Sequence, residues 1–323
     1  MAVFLSVQIA PDQFPERGQR LAGREAQREW QAPQECDGGV LFYLITDRLC
    51  LFTIFSIYAR KLRIVVLGLW IMFTHIHLMI RPVDPYHLSS FIDQSLSTFS
   101  RVINADRSRK GHLFRRRYGS APKVTDKEKR SSLIYLYNNP VEKRLCKKAV
   151  EDRWTFLAYC QNPFPYSERL VKRNASFNLR QAADYVDKEY EAGRYLLPAR
   201  LRRLFSRLSK NEQEQLTDYI INKYQFIRYD EALALFGDLD KLLLATEASA
   251  GKEFDVGEEF DPLSDIAYRE MCHVSAKAQL FDNWKLLHLT QEEEREWARR
   301  FRQFTSGTDR QINKFLHLPD EKA

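Results

Sequence analysis

Two histidines separated by a single residue are the strongest chemical signal in this sequence. His75 and His77 close an apolar run that begins at Ile64, and such a run is typical of a buried strand. Successive side chains on a strand point to opposite faces, so the two imidazoles share one face while Ile76 faces the core. Two neighbouring imidazoles suit a divalent metal ion. They are equally typical of polar residues on the wet face of a half-buried sheet.

Further along the chain, a predicted helix carries the second group of candidate residues. The segment 126–138 has a helical pattern that begins near Thr125 as its N-cap. Tyr135 and Asn139 are four residues apart, so their phenol and amide share one helix face. Tyr137 is only two residues from Asn139 and projects about 160° away from it. Core packing is the alternative role for both tyrosines.

A tyrosine and an oxygen ligand presented together suit attack of the phenol oxygen on a phosphodiester that a divalent metal holds. A phenol with an ordinary pKa of about 10 is mostly protonated at neutral pH, so a base, water or cation must assist it. The product is a phosphotyrosyl bond to one DNA end and a free hydroxyl on the other. This reaction conserves the bond energy for rejoining strands.

A basic segment lies between these two motifs. From Arg107 to Arg117 it holds six formal positive charges and no acidic residue, with Phe114 and Tyr118 nearby as stacking surfaces. A charged strand edge exposed to solvent is the alternative. The residues that we expect to contact DNA here are Arg107, Arg109, Lys110, Arg115, Arg116 and Arg117.

Taken together, these motifs carry a family resemblance. The stretch from about Val40 to Tyr159 resembles the single-tyrosine HUH transposases of the insertion-sequence-200 type, and more narrowly the REP-associated tyrosine transposases. That family has an H-x-H strand, a helix, a basic G-x-L-F-x-R-R-Y strand and a helix reading Y-I-x-x-N-P-V. The corresponding segments occur here in the same order, at 71–78, 111–118 and 135–141.

The resemblance implies a role for each matching residue. His75, His77 and Asn139 would be ligands of Mg²⁺ or Mn²⁺, and Tyr135 would be the nucleophile that takes the 5′ end and releases a 3′ hydroxyl. The substrate would be single-stranded or hairpin DNA formed by a palindromic repeat. The chain departs from the family where Tyr137 replaces a frequent histidine, and this second phenol is an alternative nucleophile.

The order of elements predicts an α+β fold. We expect a strand near 40–46, a helix at 49–62, strands within 64–80, a helix at 86–103, the basic strand 111–118 and the helix 126–138. This order predicts an antiparallel sheet covered by helices on one face, and the resemblance implies the ferredoxin-like HUH endonuclease fold. Residues 38–162 would form this domain, and residues 1–37 an N-terminal extension, either a mobile tail or an added helix.

Beyond Pro163 the pattern becomes all-α. Residues 163–289 form a predicted helical region, in which 199–210 is amphipathic with a basic face and Ser209 caps the next helix. Residues 290–323 have a helix-turn-helix pattern and are predicted to be a DNA-binding element, although many short helical hairpins serve only for packing. Its groove-facing candidates are Arg310, Gln311, Asn313 and Lys314.

Composition agrees with a nucleic-acid partner, since Lys and Arg number 50 against 43 Asp and Glu. The five scattered cysteines form no C-x-x-C pair, which fits a reduced, cytoplasmic setting, and with a DNA partner the protein is expected to be nucleoid-associated. Arg60, Lys61 and Arg63 divide the apolar stretch 49–73 into pieces too short to span a membrane, and no secretion signal is recognisable.

Three functions remain open at this stage. The leading one is a metal-dependent tyrosine transposase that cleaves and rejoins DNA, acting as a monomer or as a homodimer. The second is a domesticated DNA-binding protein of the same fold that does not cleave. The third is a metal phosphodiesterase in which water is the nucleophile.

Overall fold

The computed structural model describes residues 1–8, 39–109, 111–114, 119–248, 264–278 and 283–318. Within these residues, four strands form one antiparallel sheet in the order β2-β3-β1-β4. The strands are β1 (Ala2–Gln8), β2 (Val65–Ile71), β3 (His75–Arg81) and β4 (Gly119–Lys123). The predicted α+β class is confirmed.

Helices cover both faces of this sheet. The first face carries Leu5, Ile76 and Leu78 and packs against α1 (Ile45–Lys61) and α2 (Pro85–Arg107). The opposite face packs against α3 (Asp126–Glu142). The prediction of helices on one face only is therefore wrong. Alternation along β3 leaves a second face whose Met79 and His77 also need burial, and α3 provides it.

Strand β1 corrects the prediction for the N-terminus. Residues 2–8 lie in the interior of the sheet, paired with β3 on one side and β4 on the other. Residues 1–37 are therefore not wholly an extension. Alternating inward residues such as Phe4 and Leu5 are buried on opposite faces, which is the pattern of a strand covered on both sides. Residues 9–38 lie outside the described residues.

Several boundaries in the first half also differ from the prediction. Residues 40–44 form no sheet strand, although the Leu41 amide donates to the Phe73 carbonyl, and α1 begins at Ile45 instead of residue 49. Helix α2 continues to Arg107. The basic strand expected at 111–118 is not found at 111–114, and residues 115–118 lie outside the described residues. Strand β4 begins after this segment, at Gly119.

Helix α3 begins where its sequence predicts. The Thr125 side chain accepts the Glu128 amide at 3.2 Å, and the Glu128 carboxylate accepts the Thr125 amide at 2.7 Å. This reciprocal pair satisfies backbone donors that the first turn leaves open. Pro140 lies inside the last turn, and the helix ends at Glu142. Because proline has no amide hydrogen, the Leu136 carbonyl receives no helical hydrogen bond from position 140, and the helix ends two residues later.

The described part of the chain after Pro163 is helical, as predicted. Its helices are α4 (Phe177–Glu191), α5 (Pro198–Phe205), α6 (Lys210–Lys223), α7 (Tyr229–Ala234), α8 (Leu239–Ala248), α9 (Ile266–Lys277), α10 (Gln291–Phe304) and α11 (Asp309–Leu316). Ser209 caps α6 as expected. Buried side chains of these helices join both core clusters: Phe301 and Phe315 lie in the cluster on the α1/α2 face, and Leu242 of α8 lies in the cluster on the α3 face.

Where the chain is described, it has no helix that combines the length and apolar character needed to cross a membrane.

Candidate functional site

The two histidines lie side by side on β3, on the sheet face that α3 covers. His77 is fully buried and His75 is half-buried. Their ring centroids are 4.7 Å apart, with the ring planes at 81°. Thr74 Oγ1 lies 2.9 Å from His75 Nδ1, in hydrogen-bond contact, and this orients the outer ring. The predicted sharing of one face by the two imidazoles is confirmed.

Aromatic residues from three elements enclose His77. Trp70 of β2 stacks on the imidazole, with ring centroids 5.6 Å apart and planes at 15°. Phe4 of β1 lies at 5.5 Å. Tyr135 of α3 meets the same imidazole edge-on, at 5.6 Å and 86°, and is itself half-buried. The fold therefore brings Tyr135 and His77 into contact from distant parts of the chain.

Asn139 follows Tyr135 by one turn of α3, about 6 Å along the helix axis. Its side chain is buried, with 4% exposure. The amide nitrogen Nδ2 has no hydrogen-bond partner among the described residues. A buried amide normally has its polar atoms satisfied, so this group stands out in an otherwise well-bonded helix.

Tyr137 occupies a different environment from Tyr135. It is fully buried, and its hydroxyl donates to the Leu67 carbonyl of β2 at 3.4 Å. Burial raises its pKa well above the ordinary value, which disfavours the phenolate. The alternative nucleophile thus lies within the core, between α3 and β2, where a DNA phosphate has no access in this structure.

The residues predicted to hold a metal fit a small divalent cation. Adjacent imidazoles and an amide are neutral donors that leave coordination positions for water and a phosphate oxygen. A metal ion would bind the Asn139 amide oxygen, and the buried Nδ2, which has no partner among the described residues, could then donate a hydrogen bond to a phosphate oxygen. In the described ranges, no group of three or more His, Cys, Asp or Glu side chains is arranged to hold a metal ion.

The predicted basic DNA contacts are described only in part. Arg107 is buried at the end of α2, where its guanidinium pairs with Asp106 at 2.9 Å and with Asp47 at 3.5 Å. These ion pairs neutralise the charge of Arg107 inside the fold, so the prediction that Arg107 contacts DNA is wrong. Arg109 is half-buried and donates to the Asn104 side chain. Lys110, Arg115, Arg116 and Arg117 lie outside the described residues.

The C-terminal hairpin has the predicted helices, but one face of α11 is packed. Gln311 is buried, accepts from the Thr308 amide and donates to the Ser264 carbonyl at 2.8 Å. Because Gln311 does not face solvent, the prediction that it faces a groove of DNA is wrong. Arg310 is exposed, whereas Asn313 and Lys314 are half-buried.

Sequence reasoning missed the two aromatic residues that enclose His77. Phe4 and Trp70 belong to β1 and β2, which flank β3 in the sheet. The available signal for β1 was that Ala2–Gln8 is a short, almost continuously apolar run that contains the β-forming residues Val3, Phe4 and Val7. Trp70 was part of the recognised apolar run, but only strand register reveals that it lies opposite His77.

Comparison with known proteins gave no relatives of this chain. No protein-family model matches it, no curated protein matches its sequence, and no solved structure matches its fold.

Proposed function

We propose that the protein is a DNA strand transferase that cleaves and rejoins single-stranded or hairpin DNA through a phosphotyrosine at Tyr135. The contact of the Tyr135 ring with His77, beside His75, is the observation that carries this proposal. The proposed nucleophile on α3 thus meets the two proposed metal ligands on β3, and a metal-assisted phosphoryl transfer needs these groups close together.

In the proposed reaction, the Tyr135 hydroxyl oxygen forms a bond to the scissile phosphorus as the bond from phosphorus to the 3′ oxygen breaks. The phenolic proton leaves to solvent or a local base, and the departing 3′ oxygen takes up a proton to become a hydroxyl. The reverse attack by a 3′ hydroxyl restores the phosphodiester and frees the tyrosine. Water is excluded from the inner side of the site by Phe4 and Trp70, which pack on His77.

His75, His77 and Asn139 would hold Mg²⁺ or Mn²⁺, which supplies charge stabilisation at the phosphate when bound. The partner is expected to be palindromic-repeat DNA in the nucleoid, since a chain of net charge +7 attracts nucleic-acid phosphates. The same fold and charge also serve the two alternatives, a non-cleaving DNA-binding protein and a phosphodiesterase that uses water.

The decisive experiment is a denaturing gel with 3′-labelled hairpin oligonucleotide and Mn²⁺. Wild-type protein should acquire the label covalently, because the 5′ end of the labelled fragment joins Tyr135. Tyr135→Phe removes the nucleophilic oxygen with little loss of volume and should abolish the adduct while leaving DNA binding, measured by fluorescence anisotropy, nearly intact.

Tyr137→Phe is the matched control, since it removes one phenol from the same helix. It should keep the adduct and lose about 1 kcal/mol of stability with the hydrogen bond to Leu67. An active Tyr135→Phe beside an inactive Tyr137→Phe would overturn the assignment. Cleavage without any adduct would favour the phosphodiesterase, and binding without cleavage would favour the DNA-binding protein.

A further inference from the structure

A second candidate site lies beside Trp70, the residue that stacks on His77. A cavity of about 220 Å³ opens where the end of β2 meets α1, α9 and a short 3-10 turn at Arg153–Thr155. A volume of about 15 Å³ is enough for one water molecule, so a polyatomic ligand fits. The polar and aromatic residues that line it include Arg48, Arg269, Asp152, Trp70, Phe73 and Trp154.

Arg48 is the unusual member of this lining. It is only 7% exposed, and its guanidinium is held between the rings of Phe73 and Trp154, at 4.5 Å and 5.1 Å from their centroids. Within the described part of the chain it forms no salt bridge, and its Nε has no hydrogen-bond partner. Buried charges are normally paired, because losing water without gaining a counter-ion is unfavourable.

The other charged groups of the cavity compensate the charge of Arg48 only in part, because Asp152 attracts it electrostatically but is not in salt-bridge contact with it. Asp152 Oδ1 accepts the Trp154 amide at 2.8 Å, and burial raises the pKa of this carboxyl. Arg269 is exposed at the rim and donates from Nη1 to the Leu145 carbonyl at 3.0 Å. Two guanidinium groups therefore line the cavity with a single carboxylate, which leaves the lining net positive.

We propose that this cavity binds a phosphate group, which Arg48 contacts from the buried side and Arg269 from the rim. Guanidinium groups present several N–H donors in a planar fork that matches phosphate oxygens. The aromatic rings that hold Arg48 keep its donors oriented before the ligand arrives, which lowers the entropic cost of binding. The phosphate can belong to a DNA strand or to a free phosphorylated small molecule, and both share this chemistry.

The position of the cavity connects it with the candidate catalytic face. Trp70 both lines the cavity and stacks on His77, so a ligand there would contact the residue that supports the inner histidine. The phosphate site does not depend on the proposed nucleophile, since neither arginine belongs to α3. Tyr135→Phe protein should therefore bind phosphate as well as wild type does, whether or not the protein cleaves DNA.

The test is calorimetric titration of the full chain with inorganic phosphate. Wild type should show one saturable site, and Arg269→Gln should weaken it at least about tenfold, equivalent to about 1.4 kcal/mol. The matched control is Arg180→Gln. Arg180 is also exposed and also donates to a single backbone carbonyl, that of Ala175 at 3.2 Å, but it does not line the cavity. The control should bind phosphate like wild type.

Arg48→Lys adds a probe of the buried end, because it keeps the charge but loses the planar fork. Arg48→Lys should also weaken phosphate binding, in a protein that still melts cooperatively. If Arg48→Lys does not fold, the result for Arg269→Gln alone tests the proposal. Competition by a single-stranded oligonucleotide assigns the phosphate to DNA, and binding without competition assigns it to a free small molecule. Absence of a saturable site, or unchanged binding in Arg269→Gln, would overturn the proposal.

Discussion

At the scale of single residues, α3 shows how neighbouring side chains receive different roles. Tyr135 contacts His77, whereas Tyr137 donates a hydrogen bond to β2 in the core. Asn138 donates from Nδ2 to Glu142 at 2.9 Å, whereas the Nδ2 of Asn139 has no partner among the described residues. A helix advances about 100° per residue, so a shift of one or two positions moves a side chain to another environment.

The adjacent asparagines give a matched test of the metal site. Asn139→Ala should reduce Mn²⁺ affinity at least about tenfold, because it removes a predicted ligand. Asn138→Ala should keep that affinity and lose about 1 kcal/mol of stability with its hydrogen bond to Glu142. Titration calorimetry measures the affinity, and thermal unfolding measures the stability.

His77→Ala and His75→Ala should likewise lose Mn²⁺ binding, and a chelator should abolish any strand cleavage by the wild type. Equal Mn²⁺ binding by the two asparagine variants, or full cleavage in excess chelator, would contradict the proposed ligand set.

At the scale of elements, β1 provides the central pairing of the sheet. It connects β3, which carries the histidines, with β4, and its Phe4 packs on both His77 and Tyr135. The candidate site therefore depends on a strand at the N-terminal end of the sequence, which is distant from α3 along the chain. An interior strand cannot be removed without leaving two rows of backbone groups unpaired.

Leu5→Ala tests this role of β1. Leu5 is fully buried on the α1/α2 face, so its truncation should reduce the free energy of unfolding by about 2–5 kcal/mol. Val83→Ala is the control, since Val83 is 63% exposed and its truncation should change stability by less than about 0.5 kcal/mol. Chemical denaturation gives both values, and a similar small effect for the two variants would show that β1 is not part of the folded core.

At the scale of the whole molecule, the C-terminal helices share their core with the sheet. Phe315 of α11 packs edge-on against Tyr43, with ring centroids 5.1 Å apart, and Tyr43 donates its hydroxyl to the Phe315 carbonyl at 2.7 Å. The His317 ring also contacts the Val40 carbonyl at 2.7 Å. The hairpin 290–318 is therefore packed on the rest of the fold, and a chain shortened to residue 166 would expose this apolar surface.

Two phenylalanines of the same hairpin separate packing from surface effects. Phe315→Ala should destabilise the full chain by about 3–5 kcal/mol, because a buried ring leaves a cavity. Phe304→Ala, at a position that is 59% exposed, should have an effect below about 0.5 kcal/mol. We expect a single cooperative melting transition, and Phe315→Ala should shift it to lower temperature. A second, independent transition would contradict the shared core.

Local patterns in the sequence were sufficient to predict the H-x-H strand, the capped helix with Tyr135 and Asn139, and the helical hairpin near the C-terminus. These features depend on side-chain periodicity and on caps, which act over a few residues. Tertiary structure decided that β1 lies inside the sheet, that α3 covers the histidine face, and that Arg107 and Gln311 are buried. Such outcomes follow from which distant surfaces bury one another, and that depends on the packing of the whole chain.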